Sequence, residues 1–126
     1  MAAELHPGVA FNEAINRRDL PALGRLMTDD HAFIDSEANV VAGKEAVLTA
    51  WEGFFEAFPD YRNEWSEVTS IRDVVVAVGR SVCSTEPLLE GPAIWAATTA
   101  GDRVSEWRVY EDTPGNRRRL GISPES

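Results

Sequence analysis

Two carboxylates, Asp35 and Glu111, are the first groups in this sequence whose type and setting suggest chemistry. In the run from His31 to Asp35, His31, Phe33 and Asp35 alternate with Ala32 and Ile34. On a strand this puts an imidazole, a ring and a carboxylate on one face. Glu111 shares strand parity with Trp107 and Val109. A carboxylate in an apolar cavity has a raised pKa and becomes a base near neutrality, able to take a proton from a carbon beside a carbonyl. Two carboxylates in one such space divide into an acid and a base. The plainer alternatives are an aspartate capping the turn at Ser36 and a surface glutamate beside Asp112. His31 would serve as a proton relay or as a core residue. Arg80, alone in an apolar strand, would bind a substrate carboxylate or form an ion pair at the sheet rim. Trp51, Trp95 and Trp107 would offer indole N–H groups to a ligand oxygen or simply fill the core.

These residues need elements to position them. Residues 27–62 read as a short strand, a turn and a strongly amphipathic helix. In that helix Val47, Ala50, Trp51, Phe54, Phe55 and Phe58 recur at helical spacing, and Pro59 stops it. So bulky a stripe should lie across the concave side of a curved sheet. Two helices precede it. Val9 to Arg18 has Phe11, Ala14 and Ile15 on one face and Asn12, Glu13 and Asn16 on the other. Asp19 is a good N-cap for the second, Pro21 fits its first turn, Leu23, Leu26 and Met27 form its buried face, and Asp29-Asp30 should end it. Strands are expected at His31–Asp35, Val40–Ala42, Tyr61–Ile71, Val74–Ser84, Pro92–Ala100 and Arg103–Glu111. Arg72-Asp73 is a turn, and Gly101-Asp102 is a hairpin signal. Leu88 and Leu89, in the loop at 85–91, are placed to fold over a pocket mouth.

A chain of 126 residues is one domain with enough length for a core. Residues 1–8 read as a frayed start and 113–126 as a tail, with Arg117, Arg118 and Arg119 solvated. The formal charge of −9 argues against nucleic acid and anionic membranes as partners. No apolar run reaches the roughly 18 residues of a membrane span, and no signal peptide is recognisable, so a cytoplasmic protein is expected. The single cysteine, Cys83, excludes an internal disulfide and, in a valine-rich strand, reads as a buried inert thiol. His6 and His31 lack ligand spacing, so no metal and no cofactor is expected.

The order and spacing of DDHAFIDSEANVVAG, the aromatic helix, Phe58-Pro59-Asp60 and the ending DRVSEWRVYED…RRLG resemble the nuclear-transport-factor-2-like superfamily in its SnoaL-like branch. The resemblance runs from about Val9 to Ile122. It implies an α+β domain in which a cone-shaped, curved antiparallel sheet wraps around the long aromatic helix, with two N-terminal helices. It places Asp35 where ketosteroid isomerases carry their general base, and Glu111 where SnoaL-like cyclases carry an acid/base aspartate. Other family groups are missing. Phe11 stands at the isomerases' oxyanion tyrosine, Ile94 near their second donor, and Ser84-Thr85-Glu86 in place of the cyclases' Gly-Thr-His. Arg80-Ser81-Val82 lacks the Arg-x-Asp of epoxide hydrolases.

Together these features lead us to expect a cofactor-free isomerase or cyclase acting on a small apolar carbonyl compound. Its catalytic groups would be Asp35, Glu111 and His31. Its ligand-binding residues would be Phe11, Ile15, Phe33, Trp51, Phe54, Phe55, Arg80, Trp107 and Val109. A homodimer would cover the open sheet face. The competing classes are a non-catalytic ligand-binding module on the same fold and a purely structural dimer whose aromatic rings fill the cone.

Overall fold

The first helix starts where a side chain can satisfy its unpaired amides. In the computed structural model, which describes residues 6–123, His6 Nδ1 accepts from Gly8 N at 3.0 Å and Pro7 occupies the first turn. Pro7 and Gly8, expected to be frayed, therefore belong to helix α1 (Pro7–Arg17). Residues 1–5 and 124–126, the outer parts of the expected frayed start and tail, lie outside the described residues. Asp19 caps α2 (Leu20–Leu26) by accepting from Ala22 N at 3.1 Å. That helix ends earlier than expected. Met27 is already extended (φ −94°, ψ 140°) and opens strand β1 (Met27–Ile34), so Asp29 and Asp30 lie on a strand. Met27 is fully buried and pairs with Val104, a placement that a further helical turn would forfeit.

Strand β2 (Val40–Ala42) returns beside β1, and α3 (Lys44–Ala57) follows Gly43. Strands β3 (Arg62–Ile71), β4 (Val74–Val82), β5 (Gly91–Ala100) and β6 (Arg103–Glu111) then form a meander. A 3-10 turn at Pro87–Leu89 sits between β4 and β5. The sheet is curved and unclosed, in the order β2-β1-β6-β5-β4-β3. It is mixed rather than wholly antiparallel, because β1 runs parallel to β6. Irregularities in register at Trp65/Glu67 and Thr98/Thr99 add the local bend that a cone needs. Gly79 makes the first possible, since a Cβ there would come within 2.0 Å of Glu64 O.

The core fills the concave side. Phe11, Ile15 and Leu23 from the first two helices, and Val47, Trp51 and Phe55 from α3, pack against Ala77, Trp95 and Trp107. On the convex side Val76, Val78 and Ile94 are buried with Ile71, Val74, Tyr110, Leu120 and Ile122 packed around them. Part of that covering comes from the C-terminal segment, which is not a solvated tail. It forms helix α4 (Pro114–Arg119), capped by Thr113. Arg117 is 6% exposed, forks onto Asp112 at 2.6 and 2.8 Å, and donates to Ser123 O at 3.2 Å. Arg118 and Arg119 are exposed as expected.

Candidate functional site

Between α3 and the concave face lies a cavity of about 430 Å³. Strand alternation sends Ser81 of β4, Ala93 and Trp95 of β5, and Trp107 and Val109 of β6 to its surface. Trp51 and Phe54 of α3 and Phe33 of β1 form its aromatic wall. Trp51 lies 5.8 Å from both Phe33 and Phe54 between ring centroids. Leu88 and Leu89 lie along the mouth as anticipated, with Leu88 91% exposed.

Asp35 and Glu111 both line this cavity, but Asp35 is not a carboxylate stranded among apolar groups. Its Oδ1 accepts from Glu37 N and Asn39 N, both at 2.9 Å, and its Oδ2 accepts from Asn39 Nδ2 at 3.0 Å. The Asn39 amide and side chain, then the Glu37 amide, hold its pKa below the usual carboxylate range, against a smaller opposing effect of burial. The expected upward shift is therefore reversed, and Asp35 caps its own turn. Glu111 is exposed at the end of β6, and its carboxylate makes no hydrogen bond or ion pair among the described residues.

Five expected site residues lie elsewhere. His31 is fully buried away from the cavity, its ring stacked 5.4 Å from Phe11. Its Nδ1 lies 2.7 Å from Val104 O, which only accepts, so Nδ1 carries the hydrogen. Burial lowers its pKa, more than the Val104 contact and the Asp30 charge raise it, so the ring is a neutral core group. Phe11 and Ile15 are 0% exposed and Phe55 8%, and all three are core rather than lining. Phe11 instead stacks on Trp107 at 4.6 Å, behind the cavity. Arg80 lies one residue out of phase. Val76, Val78 and Arg80 share the convex face, while Ala77 and Ser81 share the concave one.

Polar lining residues come from the start of β3 and from β4 beside it. Tyr61, just before the strand, sets its hydroxyl 3.1 Å from Ser81 Oγ. Burial raises the Tyr61 pKa and outweighs the Ser81 contact, so the phenol stays protonated. Arg18 Nη2 donates to Tyr61 O at 2.6 Å, and the ring meets Phe54 edge-on at 4.8 Å. Asn16 grips the backbone of the next inward residue, donating to Asn63 O at 2.9 Å and accepting from Asn63 N at 2.8 Å. Asn63 Nδ2 donates to Asn12 Oδ1 at 3.0 Å. The polar face of α1 thus covers the outer edge of β3 at Asn63. The available signal was period two, with Tyr61, Asn63 and Trp65 on one side of a strand and Ser81 facing Asn63 in register.

Asp60 secures the loop at the mouth. It accepts from the Ser84 hydroxyl, from Thr85 N at 2.9 Å, from Thr85 Oγ1 at 2.6 Å and from Cys83 Sγ at 3.4 Å. These donors, Ser84 foremost, hold its pKa well below the ordinary value. Cys83 is buried as expected, though just beyond β4. Among the described residues, no group of three or more His, Cys, Asp or Glu side chains could hold a metal ion. No helix there is long and apolar enough to cross a membrane.

Solved structures with this architecture are numerous. A cystatin-fold protein of Novosphingobium aromaticivorans superposes with a TM-score of 0.75 at 20% identity, covering 86% of this chain and 98% of its own. A candidate polyketide cyclase of Sinorhizobium meliloti gives 0.73 at 18% identity, covering 84% and 94%. A candidate ketosteroid isomerase of Kribbella flavida gives 0.68 at 11% identity, covering 82% and 73%. Identities this low establish the fold alone. No curated protein matches the sequence. The profile of the SnoaL-like domain matches residues 9–118, nearly the whole of the cone and its aromatic helix, and the chain belongs to the SnoaL-like family.

Proposed function

We propose that the cone binds a small, mainly apolar, carbonyl-bearing molecule and acts on it by cofactor-free acid/base chemistry of the isomerase or cyclase type. The observation that carries this reading is an aromatic-walled cavity of about 430 Å³ with two carboxylates on its lining. Glu111 is the base in this proposal, because Asp35 accepts three hydrogen bonds from its own turn, which make its carboxylate less basic. Glu111 would take a proton from the carbon beside the carbonyl, and the C–H electron pair would move onto the carbonyl oxygen. Return of a proton at a different carbon gives an isomer. Attack of the carbanion on a second carbonyl closes a ring. Names borne by structural relatives, polyketide cyclase and ketosteroid isomerase, fit this class. A cytoplasmic homodimer remains part of the proposal. Its sheet-face contact would be confined to the part that Leu120 and Ile122 leave uncovered.

A second reading, a binding module without catalysis, draws on the turn-capping role of Asp35. A thermal-shift screen of polycyclic ketones, polyketide-like phenols and terpenoids, followed by product analysis, separates the two. The enzyme reading expects a ligand that stabilises both the wild type and Glu111→Gln but is converted only by the wild type. Ligands that stabilise both proteins and are converted by neither would leave a binding module.

A further inference from the structure

We propose that the Tyr61–Ser81 hydroxyl pair is a subsite for a neutral acceptor oxygen, giving the cavity selectivity for a ketone over its deoxygenated counterpart. The inference rests on the cavity reading above. It starts from a count of hydrogens. Two hydroxyls 3.1 Å apart carry two hydrogens, and their mutual bond uses one. Whichever group donates, the other keeps an O–H directed at neither protein partner, since neither hydroxyl makes another hydrogen bond among the described residues. Both residues line the cavity. The separation is long for a hydroxyl pair, so a ligand oxygen competes easily for the phenol hydrogen. With Ser81 donating to the phenol and the phenol donating to the ligand, each bond polarises the next.

The pair is also held in place before any ligand arrives. Phe54 fixes the tyrosine ring edge-on, and Arg18 fixes its carbonyl. Asn16 fixes the start of β3, and the Asn63–Ser81 register sets Ser81 beside it. A fixed donor in an apolar space selects strongly. A ligand with an acceptor oxygen satisfies it, whereas a hydrocarbon of the same shape leaves it enclosed and unpaired. Trp95, Trp107 and Phe54 supply the apolar surface for the rest of such a molecule.

The test compares binding of tetralone and tetralin, two probes of nearly equal shape, to the wild type, Tyr61→Phe and Ser81→Ala. Titration calorimetry reads affinity, and the infrared carbonyl stretch of bound tetralone reads the hydrogen bond directly. The wild type should prefer the ketone by about tenfold or more, with the carbonyl stretch moved to lower frequency. Tyr61→Phe should abolish both the preference and the frequency shift while tetralin affinity holds. Ser81→Ala should keep the preference but weaken the shift. Equal binding of both probes to the wild type would overturn the subsite and leave the cavity reading intact. So would a preference that survives in Tyr61→Phe with the stretch unmoved. If neither probe binds the wild type, the cavity reading and the subsite fail together.

Discussion

Ser81 carries a hydroxyl into the cavity, whereas Arg80, its neighbour on β4, carries a guanidinium to the opposite face of the sheet. A valine-rich run buried on both faces has no alternation to fix its phase, so the sequence marks Arg80 by its charge but carries no signal for the inward Ser81. The mouth carboxylates were legible because Asp35 and Glu111 follow clear inward residues, Phe33 and Val109. The environment of Asp35 was not, because it depends on backbone amides in the turn that follows. His31 shows the same gap, since its face was right but its depth came from packing against Phe11. That burial has a measurable consequence. The folded-state pKa is lowered, so below about pH 6.5 the unfolded chain binds more protons at this site than the folded chain does. Stability is therefore fully present above about pH 6.5 and falls as pH drops below that value toward the folded pKa. Urea titrations should show stability falling between pH 7.5 and 5.5. His31→Gln should be less stable at pH 7.5 and flat across this window. A His31→Gln variant that keeps the same pH dependence would contradict the assignment.

At the scale of elements, the helix and strand sequence was largely legible, because the aromatic stripe of α3, the Asp19 cap and the turns at Arg72-Asp73 and Gly101-Asp102 are local signals. The bend of the sheet was not, since it rests on a contact between strands. Gly79 lets β3 bulge at Trp65/Glu67, and a Cβ would meet Glu64 O at 2.0 Å. Gly79→Ala should cost about 2 kcal/mol or more by overpacking, measurable as a lowered denaturation midpoint. A neutral substitution would mean that the bulge is not needed. Asp60 is the corresponding device for the mouth loop. In Asp60→Asn the Ser84 and Thr85 donors lose an anionic acceptor, so amides from Thr85 to Glu90 should exchange faster while those of β4 and β5 keep their protection. Because the Asp60 pKa is depressed in the folded state, its anchoring is complete above about pH 4 and fades as pH falls through the folded value.

For the molecule as a whole, the cone and the open convex face followed from the pattern of helices and strands, but the cover for that face did not. Three successive arginines read as solvated, whereas Arg117 turns inward to Asp112 and so brings Leu120 and Ile122 onto the valines of β4. Removing residues 113–126 should expose Val76, Val78 and Ile94 and drive self-association, visible by light scattering at micromolar concentration. A truncated chain that stays monodisperse and equally stable would contradict this role. The central claim is that the cone holds a carbonyl compound while Glu111 moves its α-proton. The most direct measurement is solvent deuterium exchange at the α-carbon of a bound polycyclic ketone, followed by NMR. The account predicts exchange well above the buffer rate in wild type and in Asp35→Asn where that variant folds. It predicts a fall of about a hundredfold or more in Glu111→Gln at unchanged ligand affinity. Exchange at the buffer rate despite binding, or exchange indifferent to Glu111→Gln, would contradict it.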